Sequence, residues 1–234
     1  MSTLTKELYD DTTRYIDMVK QSLPGLTLKV SSDLLEWKRV SPDLSKPFDP
    51  DLNDIRPSDA FWIGLYDDGE CIACGGGRVF ECDDFIREYL TTYLLFGDIA
   101  PSVDSKPYTF DEPGPVLSGR VGYAGGVWVH PDYKGLAKVV SQLGKVIALR
   151  RLRVDHYTAL IRRSRECWAI SSLGWRHGCR LTSGHYLGKG DSESGSLDFF
   201  WTDHREIVGL IERTLPEVHY RGPSTVDNIA AACL

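Results

Sequence analysis

The sequence predicts an α/β domain built on a mixed sheet, and three observations lead to this fold class. The first is a hairpin pattern, in which apolar runs at residues 61–66 and 71–80 flank the turn Asp67-Asp68-Gly69. The second is an apolar strand pattern at 123–129 that passes through a short turn into a helical pattern. The third is another strand pattern at 155–161, followed by further helix and strand signals. Such alternation is typical of sheets that contain parallel neighbours.

Composition narrows the class of protein. The chain has 234 residues, of which 42% are hydrophobic and 26% charged, as in an ordinary packed domain rather than a disordered or collagen-like chain. Its apolar runs are far shorter than the roughly 20 residues that a membrane helix needs. The first residues lack the basic and then apolar pattern of a signal peptide, so we predict a cytoplasmic location.

The first 59 residues read as an N-terminal helical and irregular extension. A first helix is predicted up to the stop at Pro24-Gly25, followed by a short strand at 26–30. Residues 41–59 contain four prolines and are predicted to be an irregular connection. We therefore expect an extension at 1–59, a main α/β domain at 60–216 and a C-terminal tail at 217–234.

Two further helices are predicted from their capping signals. Asp83 or Asp84 is expected to cap a helix that ends at Gly97, ahead of a long loop at 98–120. Near the C-terminus, Asp203 and Glu206 have the spacing of a capping box for a closing helix.

Cys71 and Cys74 have a spacing that zinc sites use, but neither a second such pair nor a suitable histidine pair follows. Strand alternation would send the two side chains to opposite faces of the sheet. A structural role is therefore favoured and no metal is predicted, with a metal or redox site as the alternative.

Positive charge is concentrated in one stretch of an acidic chain. Residues 134–165 contain nine basic side chains and one acid, which gives this stretch a net charge of +8. Because the whole chain has a net charge of −6, all other residues together carry −14. Such a strip favours a small polyanionic ligand over nucleic acid, with a solvated helix face as the alternative.

The strand–turn–helix unit after residue 123 is the strongest functional signal. A glycine-containing turn at the start of a helix presents unpaired N–H groups and the positive end of the helix dipole, which favour a phosphate. Lys134 and Lys138 add positive charge beside that turn. Gly75-Gly76-Gly77 lacks phosphate-loop spacing, so we predict a strand bulge or close backbone packing there.

Residues 126–137, Gly-Val-Trp-Val-His-Pro-Asp-Tyr-Lys-Gly-Leu-Ala, resemble the signature of the GCN5-related N-acetyltransferase (GNAT) superfamily. The resemblance implies a GNAT-like fold over roughly 60–202 and acetyl-CoA as cosubstrate, without a metal. It implies that the backbone of Val127, Trp128 and Val129 holds the pantetheine arm. It also implies that the coenzyme pyrophosphate lies on the turn formed by Lys134, Gly135, Leu136, Ala137 and Lys138.

Two features differ from the family pattern. The family turn usually has Gln or Arg, two residues, Gly, one residue, and then Gly or Ala. If Gly135 and Ala137 take the last two of these positions, Asp132 takes the first. If Lys134 takes the first, Ala137 and Val139 replace the two small residues. Residues 169–179 lack the tyrosine that often protonates the leaving thiolate.

The chemistry of acetyl transfer selects the candidate catalytic residues. A strand N–H can stabilise the oxyanion, and Val129 is the best placed. Glu81 and Tyr123 are the candidate general bases, with His130 as a further one. Tyr157, Tyr186 or a solvent water is the candidate acid.

The sequence favours an N-acetyltransferase that moves an acetyl group directly to an amine of a small molecule or peptide. Acidic and aromatic residues of the 98–120 loop are expected to frame that amine: Tyr108, Phe110, Asp111 and Glu112. No nucleic acid or membrane partner is expected, and a homodimer is left open. The alternatives are a binding or regulatory module of the same fold and an enzyme resembling acyl-homoserine-lactone synthases.

Overall fold

The structure is a computed structural model that describes residues 6–42, 44–92, 94–96, 109–110, 114–183 and 197–213. In these ranges eight strands form one mixed sheet in the order β1-β2-β3-β5-β6-β8-β7-β4. The strands are β1 (Thr27–Ser31), β2 (Ala60–Asp67), β3 (Glu70–Cys82), β4 (Thr109–Phe110), β5 (Gly119–Val129), β6 (His156–Arg162), β7 (His177–Ser183) and β8 (Leu197–Asp203). The helices are α1 (Lys6–Gln21), α2 (Leu34–Val40), α3 (Leu136–Ile147), α4 (Glu166–Ser171) and α5 (His204–Arg213). The predicted α/β class with a mixed sheet is confirmed.

The hairpin of β2 and β3 is confirmed, together with its turn. Asp68 and Gly69 have φ values of 45° and 85°, so both central residues adopt the left-handed conformation that a tight hairpin turn requires. The order that follows is the one that the resemblance implied: signature strand β5, helix α3, parallel strand β6, helix α4, and then the closing strands.

The N-terminal extension is part of the sheet rather than an appendage. Its strand β1 pairs antiparallel with β2, from Thr27 opposite Tyr66 to Ser31 opposite Trp62. The first helix and this strand were predicted, whereas α2 was not. Asp33 caps α2 by accepting the N–H of Glu36 at 3.0 Å.

The helix predicted from residue 83 to 97 is much shorter in the structure. A single π-helical turn spans Ile86–Leu90, and a short 3-10 turn spans Leu94–Phe96. The carboxylate of Glu88 accepts the N–H groups of both Asp83 and Asp84 at 2.9 Å. Asp84 in turn accepts the N–H of Arg87 at 3.2 Å, so it caps this turn as predicted. Gly97 lies outside the described residues.

Two apolar clusters lie on opposite faces of the sheet. On one face, α1, α3 and α5 pack over residues such as Phe61, Ala73 and Tyr157. On the other face, aromatic side chains of the extension, Trp37 and Phe48, pack over β2, β3 and β5. None of the described helices is both long and apolar enough to cross a membrane.

The basic strip predicted from the sequence does not form one surface. Lys145 is buried within α3, and Arg163 forms an ion pair with the buried Asp198 at 2.9 Å. Arg150 lies over the ring of Tyr9 at 4.2 Å. Lys134 and Lys138 flank the start of α3, whereas residues 150–153 follow its other end, about 20 Å away at 1.5 Å per residue.

The capping box predicted for the closing helix is confirmed. Asp203 accepts the N–H of Glu206 at 2.8 Å, and Glu206 in turn accepts the N–H of Asp203 at 3.0 Å. We expect Asp203→Ala to lower the free energy of unfolding by about 1 kcal/mol, measured by urea denaturation. Glu212→Ala, at the exposed end of the same helix, is the control and should change it far less.

Candidate functional site

The most informative feature of the sheet is a split between β5 and β6. The two strands are parallel and paired from Val121 opposite His156 to Ala124 opposite Ala159. Beyond that point β5 stays paired with β3 as far as Val129, while β6 stays paired with β8 as far as Arg162. The ends of two central strands therefore diverge, and a gap opens between them.

An irregularity in β5 begins where this gap opens. The register between β3 and β5 shifts between Cys74 and Gly76, and Gly126 has a φ of 61°. A side-chain carbon at Gly126 would lie 2.5 Å from the ring of Trp37. Close packing against an aromatic ring thus explains this glycine, and the bulge turns the end of β5 away from β6.

The backbone of β5 presents donors to the gap. His130 donates its N–H to the carbonyl of Ile72 at 2.8 Å, so this group points towards β3. Successive N–H groups of a strand point to opposite edges, and that of Val129 therefore points towards the gap. The same alternation directs the N–H of Val127 to the gap. This is the edge that the resemblance implied for the pantetheine arm.

The turn that follows β5 leads directly into the N-terminus of α3. Gly135 precedes this helix with a φ of 93°, a conformation that residues with a side chain rarely adopt. The turn is held against the hairpin by Tyr133, whose hydroxyl donates to the carboxylate of Asp67. The first N–H groups of α3 consequently lie at the end of the gap, where an anion would be favoured.

The acid at Asp132, one of the departures from the family pattern, is partly engaged within the turn. Its carboxylate lies 3.7 Å from Nδ1 of His130, and its N–H is directed to the same nitrogen at 3.3 Å. His130 also packs edge-on against Trp128 and Tyr133. These contacts favour a structural role for His130 in shaping the turn.

The two candidate bases lie at different places along β5. Tyr123 is buried one residue before the pairing with β6 ends, and its ring stacks on Phe48 at 6.0 Å. Glu81 pairs with Arg120 near the opposite end of β5, in both the strand register and an ion pair. At 3.3 Å per residue, Arg120 is about 13 Å from the start of the gap. The structure brings Tyr123 to the gap and does not bring Glu81 there.

Of the candidate acids, Tyr157 is not brought to the gap. Tyr157 is buried on the face of α3, and burial raises the pKa of its hydroxyl well above its usual range. Its hydroxyl approaches the backbone of Gly77 and Gly144, where added side-chain carbons would lie 2.6 and 3.3 Å away. Tyr186 lies outside the described residues, as do Tyr108, Asp111 and Glu112 of the predicted acceptor loop. Phe110 is described and packs edge-on against Phe199.

Sequence reasoning missed the contribution of α2 to this region. Trp37 is fully buried, lies against Gly126 and stacks on Trp62 with a ring separation of 6.3 Å. Beneath it lies Cys74, opposite Trp128 in the register of β3 and β5. The sequence did contain a signal for the start of α2, because Asp33 and Glu36 have the three-residue spacing of a helix cap.

No protein-family model matches the chain, and no curated protein matches its sequence. Among solved structures it is similar to FeeM, an N-acyl amino acid synthase from uncultured soil microbes, at 10% identity and a TM-score of 0.47, over 80% of this chain and 95% of that one. NAA60 of Arabidopsis thaliana, solved with acetyl-CoA, is 15% identical with a TM-score of 0.42, and the match covers 77% of this chain and 99% of NAA60. The spermidine/spermine N-acetyltransferase SpeG of Vibrio cholerae is 10% identical with a TM-score of 0.43, and the match covers 79% of this chain and 98% of SpeG. At such values the function of this chain has to be inferred from its own site.

Proposed function

We propose that this protein is an acyltransferase of the GNAT type, which transfers an acetyl group from acetyl-CoA to an amine of a small molecule or peptide. The observation that carries the proposal is the split between β5 and β6, which ends at the glycine-capped N-terminus of α3. An extended pantetheine arm fits the gap because the backbone groups of Val127 and Val129 face it. The pyrophosphate then lies on the turn from Lys134 to Lys138.

The proposed reaction uses the backbone of β5 rather than a charged side chain. The N–H of Val129 would polarise the thioester carbonyl and stabilise the oxyanion formed when the amine attacks. Collapse of that intermediate expels the coenzyme thiolate, which solvent water can protonate. Tyr123, the candidate base near the gap, would take the proton that the amine nitrogen loses, whereas Glu81 is too distant to act directly in this geometry.

A thermal-shift titration tests the coenzyme site. Acetyl-CoA at 100 times its dissociation constant adds about 2.7 kcal/mol to the stability of a protein that binds it only when folded. We expect a saturable rise in the melting temperature with acetyl-CoA and little change with ADP. If the melting temperature does not rise at millimolar acetyl-CoA, the result would contradict both the coenzyme site and the acetyltransferase activity.

Replacement of Lys134 tests the phosphate turn specifically. We expect Lys134→Glu to weaken acetyl-CoA binding about tenfold, because a charge-assisted contact is replaced by repulsion at the positive end of α3. Isothermal titration calorimetry measures this change. Arg151→Glu is the matched control, since it makes the same charge change beyond the far end of the helix and should leave the affinity unchanged. Equal losses in the two variants would place the coenzyme elsewhere.

An assay for free thiol separates the remaining alternatives. The proposed enzyme releases thiol from acetyl-CoA only when an amine acceptor is present. A binding module would bind the coenzyme without release, and an enzyme resembling acyl-homoserine-lactone synthases would require a long acyl chain on a carrier protein.

A further inference from the structure

A groove at the edge of the sheet lies apart from the coenzyme site. It is formed by α1, the outer strand β1 and the segment that ends α3, and its volume is about 420 Å³. Four aliphatic side chains line it: Ile16, Leu28, Val30 and Ile147. Ile147 is buried, and the other three pack against the cluster beneath α3 while remaining partly exposed. Small organic ligands commonly occupy apolar concavities of this size.

Three cationic side chains complete the lining of the groove: Lys20, Arg150 and Arg151. The guanidinium of Arg150 lies 4.2 Å from the ring centre of Tyr9, which holds it in place without neutralising its charge. Neither arginine forms an ion pair within the described part of the chain. Lys20 contacts Asp17 at 3.5 Å, but both side chains are exposed, and such a pair contributes little. The groove therefore carries positive charge on a protein whose total charge is −6.

The lining identifies the chemical class of the ligand. Among the described residues its apolar part is entirely aliphatic, without an aromatic ring on which a nucleotide base would stack, so an alkyl chain fits it best. The N–H groups of an arginine form a planar fork that matches the two oxygens of a carboxylate. The carbonyl groups at the end of a helix disfavour an anion, so the three cations have to supply the attraction.

We propose that this groove binds a medium-chain fatty acid anion, with its alkyl chain against the aliphatic side chains and its carboxylate among Lys20, Arg150 and Arg151. This gives a role to the part of the basic stretch at 134–165 that lies away from the phosphate turn. The groove follows the other end of α3, about 20 Å from that turn. The site is therefore separate from the coenzyme site and does not depend on the proposed acetyl transfer.

Isothermal titration calorimetry of the full-length chain with decanoate at pH 8, below the concentration at which micelles form, tests the site. We expect one decanoate to bind per chain, with the same affinity whether or not acetyl-CoA is present. Octanoate should bind more weakly, by up to about fourfold for each methylene removed. Octanol, which has the chain length of octanoate but no charge, should bind at least about tenfold more weakly than octanoate.

Three results would overturn the proposal: decanoate does not bind saturably, octanol binds as tightly as octanoate, or acetyl-CoA displaces decanoate. The last result would place the fatty acid in the coenzyme gap. If acetyl-CoA itself does not bind, the proposed acetyl transfer fails, but the expected binding of decanoate is unchanged. The two proposals therefore fail on different observations.

Variants of Arg150 test which cation holds the carboxylate. We expect Arg150→Gln to weaken decanoate binding about tenfold, because a charge-assisted contact is lost, and Arg150→Lys to retain most of the affinity. Arg153→Gln is the matched control, since Arg153 is exposed and lies three residues further on but does not line the groove. The melting temperature without ligand shows whether each variant is folded. Equal affinities in the two glutamine variants would show that the carboxylate is not held in this groove.

Discussion

Lys145→Met should stabilise the protein most at neutral pH and progressively less as the pH rises. Lys145 is fully buried in α3, where its Nζ donates to the carbonyl of Leu173 at 2.7 Å and lies 4.0 Å from the ring centre of Trp175. Burial lowers its pKa to about 7. Methionine has a similar shape and no charge to desolvate, although the carbonyl of Leu173 loses its donor.

The sign of this pH dependence follows from proton binding. Between about pH 7 and the ordinary lysine value near 10.4, the unfolded chain holds a proton on residue 145 that the folded protein has lost. The native lysine protein therefore gains stability relative to Lys145→Met as the pH rises, by up to about 1.4 kcal/mol per unit. Below pH 7 both states are protonated and the difference becomes constant.

Urea denaturation of both proteins at pH 8 and pH 10 measures the effect. We expect the advantage of the methionine variant to shrink by about 2 kcal/mol across this interval. The comparison cancels the opposing contributions of the buried tyrosines and thiols, which both proteins share. Lys138→Met, on the same helix but partly exposed, is the control and should show little pH-dependent difference. If the difference in stability between Lys145→Met and the native protein does not change with pH, the pKa of Lys145 is not lowered. Such a result would mean that water reaches the amine.

Gly126→Ala should destabilise the protein by several kcal/mol. The left-handed conformation at φ 61° costs about 1–2 kcal/mol for a residue with a side chain. The added carbon would also lie 2.5 Å from Trp37, which is fully buried and stacked on Trp62, and such overpacking costs about 1–3 kcal/mol. The two contributions together predict a loss of about 2–5 kcal/mol in the free energy of unfolding.

Gly25→Ala distinguishes strain from steric overlap. Gly25 has a φ of 81° and no atom within 4 Å of an added side-chain carbon, so its replacement adds conformational strain alone. We expect its effect to be clearly smaller than that of Gly126→Ala. Equal losses in the two variants would show that Trp37 moves aside at little cost.

The sequence predicted those parts of the fold that depend on local periodicity and turn chemistry. The Asp68-Gly69 hairpin, the passage from β5 into α3 and the capping box at Asp203 all follow from residue types at fixed spacing. The split between β5 and β6 was not predicted, because its position depends on which strands become neighbours. No local pattern encodes that choice.

Three features of the site depend on tertiary contacts and could not be predicted from the sequence. Helix α2 has seven residues, too few for a clear period, yet it places Trp37 over Gly126. The extra residue at Ile72 in β3 places Cys71 and Cys74 on one face of the sheet, whereas alternation predicted opposite faces. Lys145 reads as a polar helix position, but the segment that contains Leu173 and Trp175 covers it.

The outer strand β1 bears on how copies of this chain associate. A sheet that ends in a long, flat strand invites another chain to pair with it, whereas short or charged edges discourage this. Here β1 has five residues with Lys29 at its centre. This edge of the described sheet therefore resists pairing with a strand of another copy.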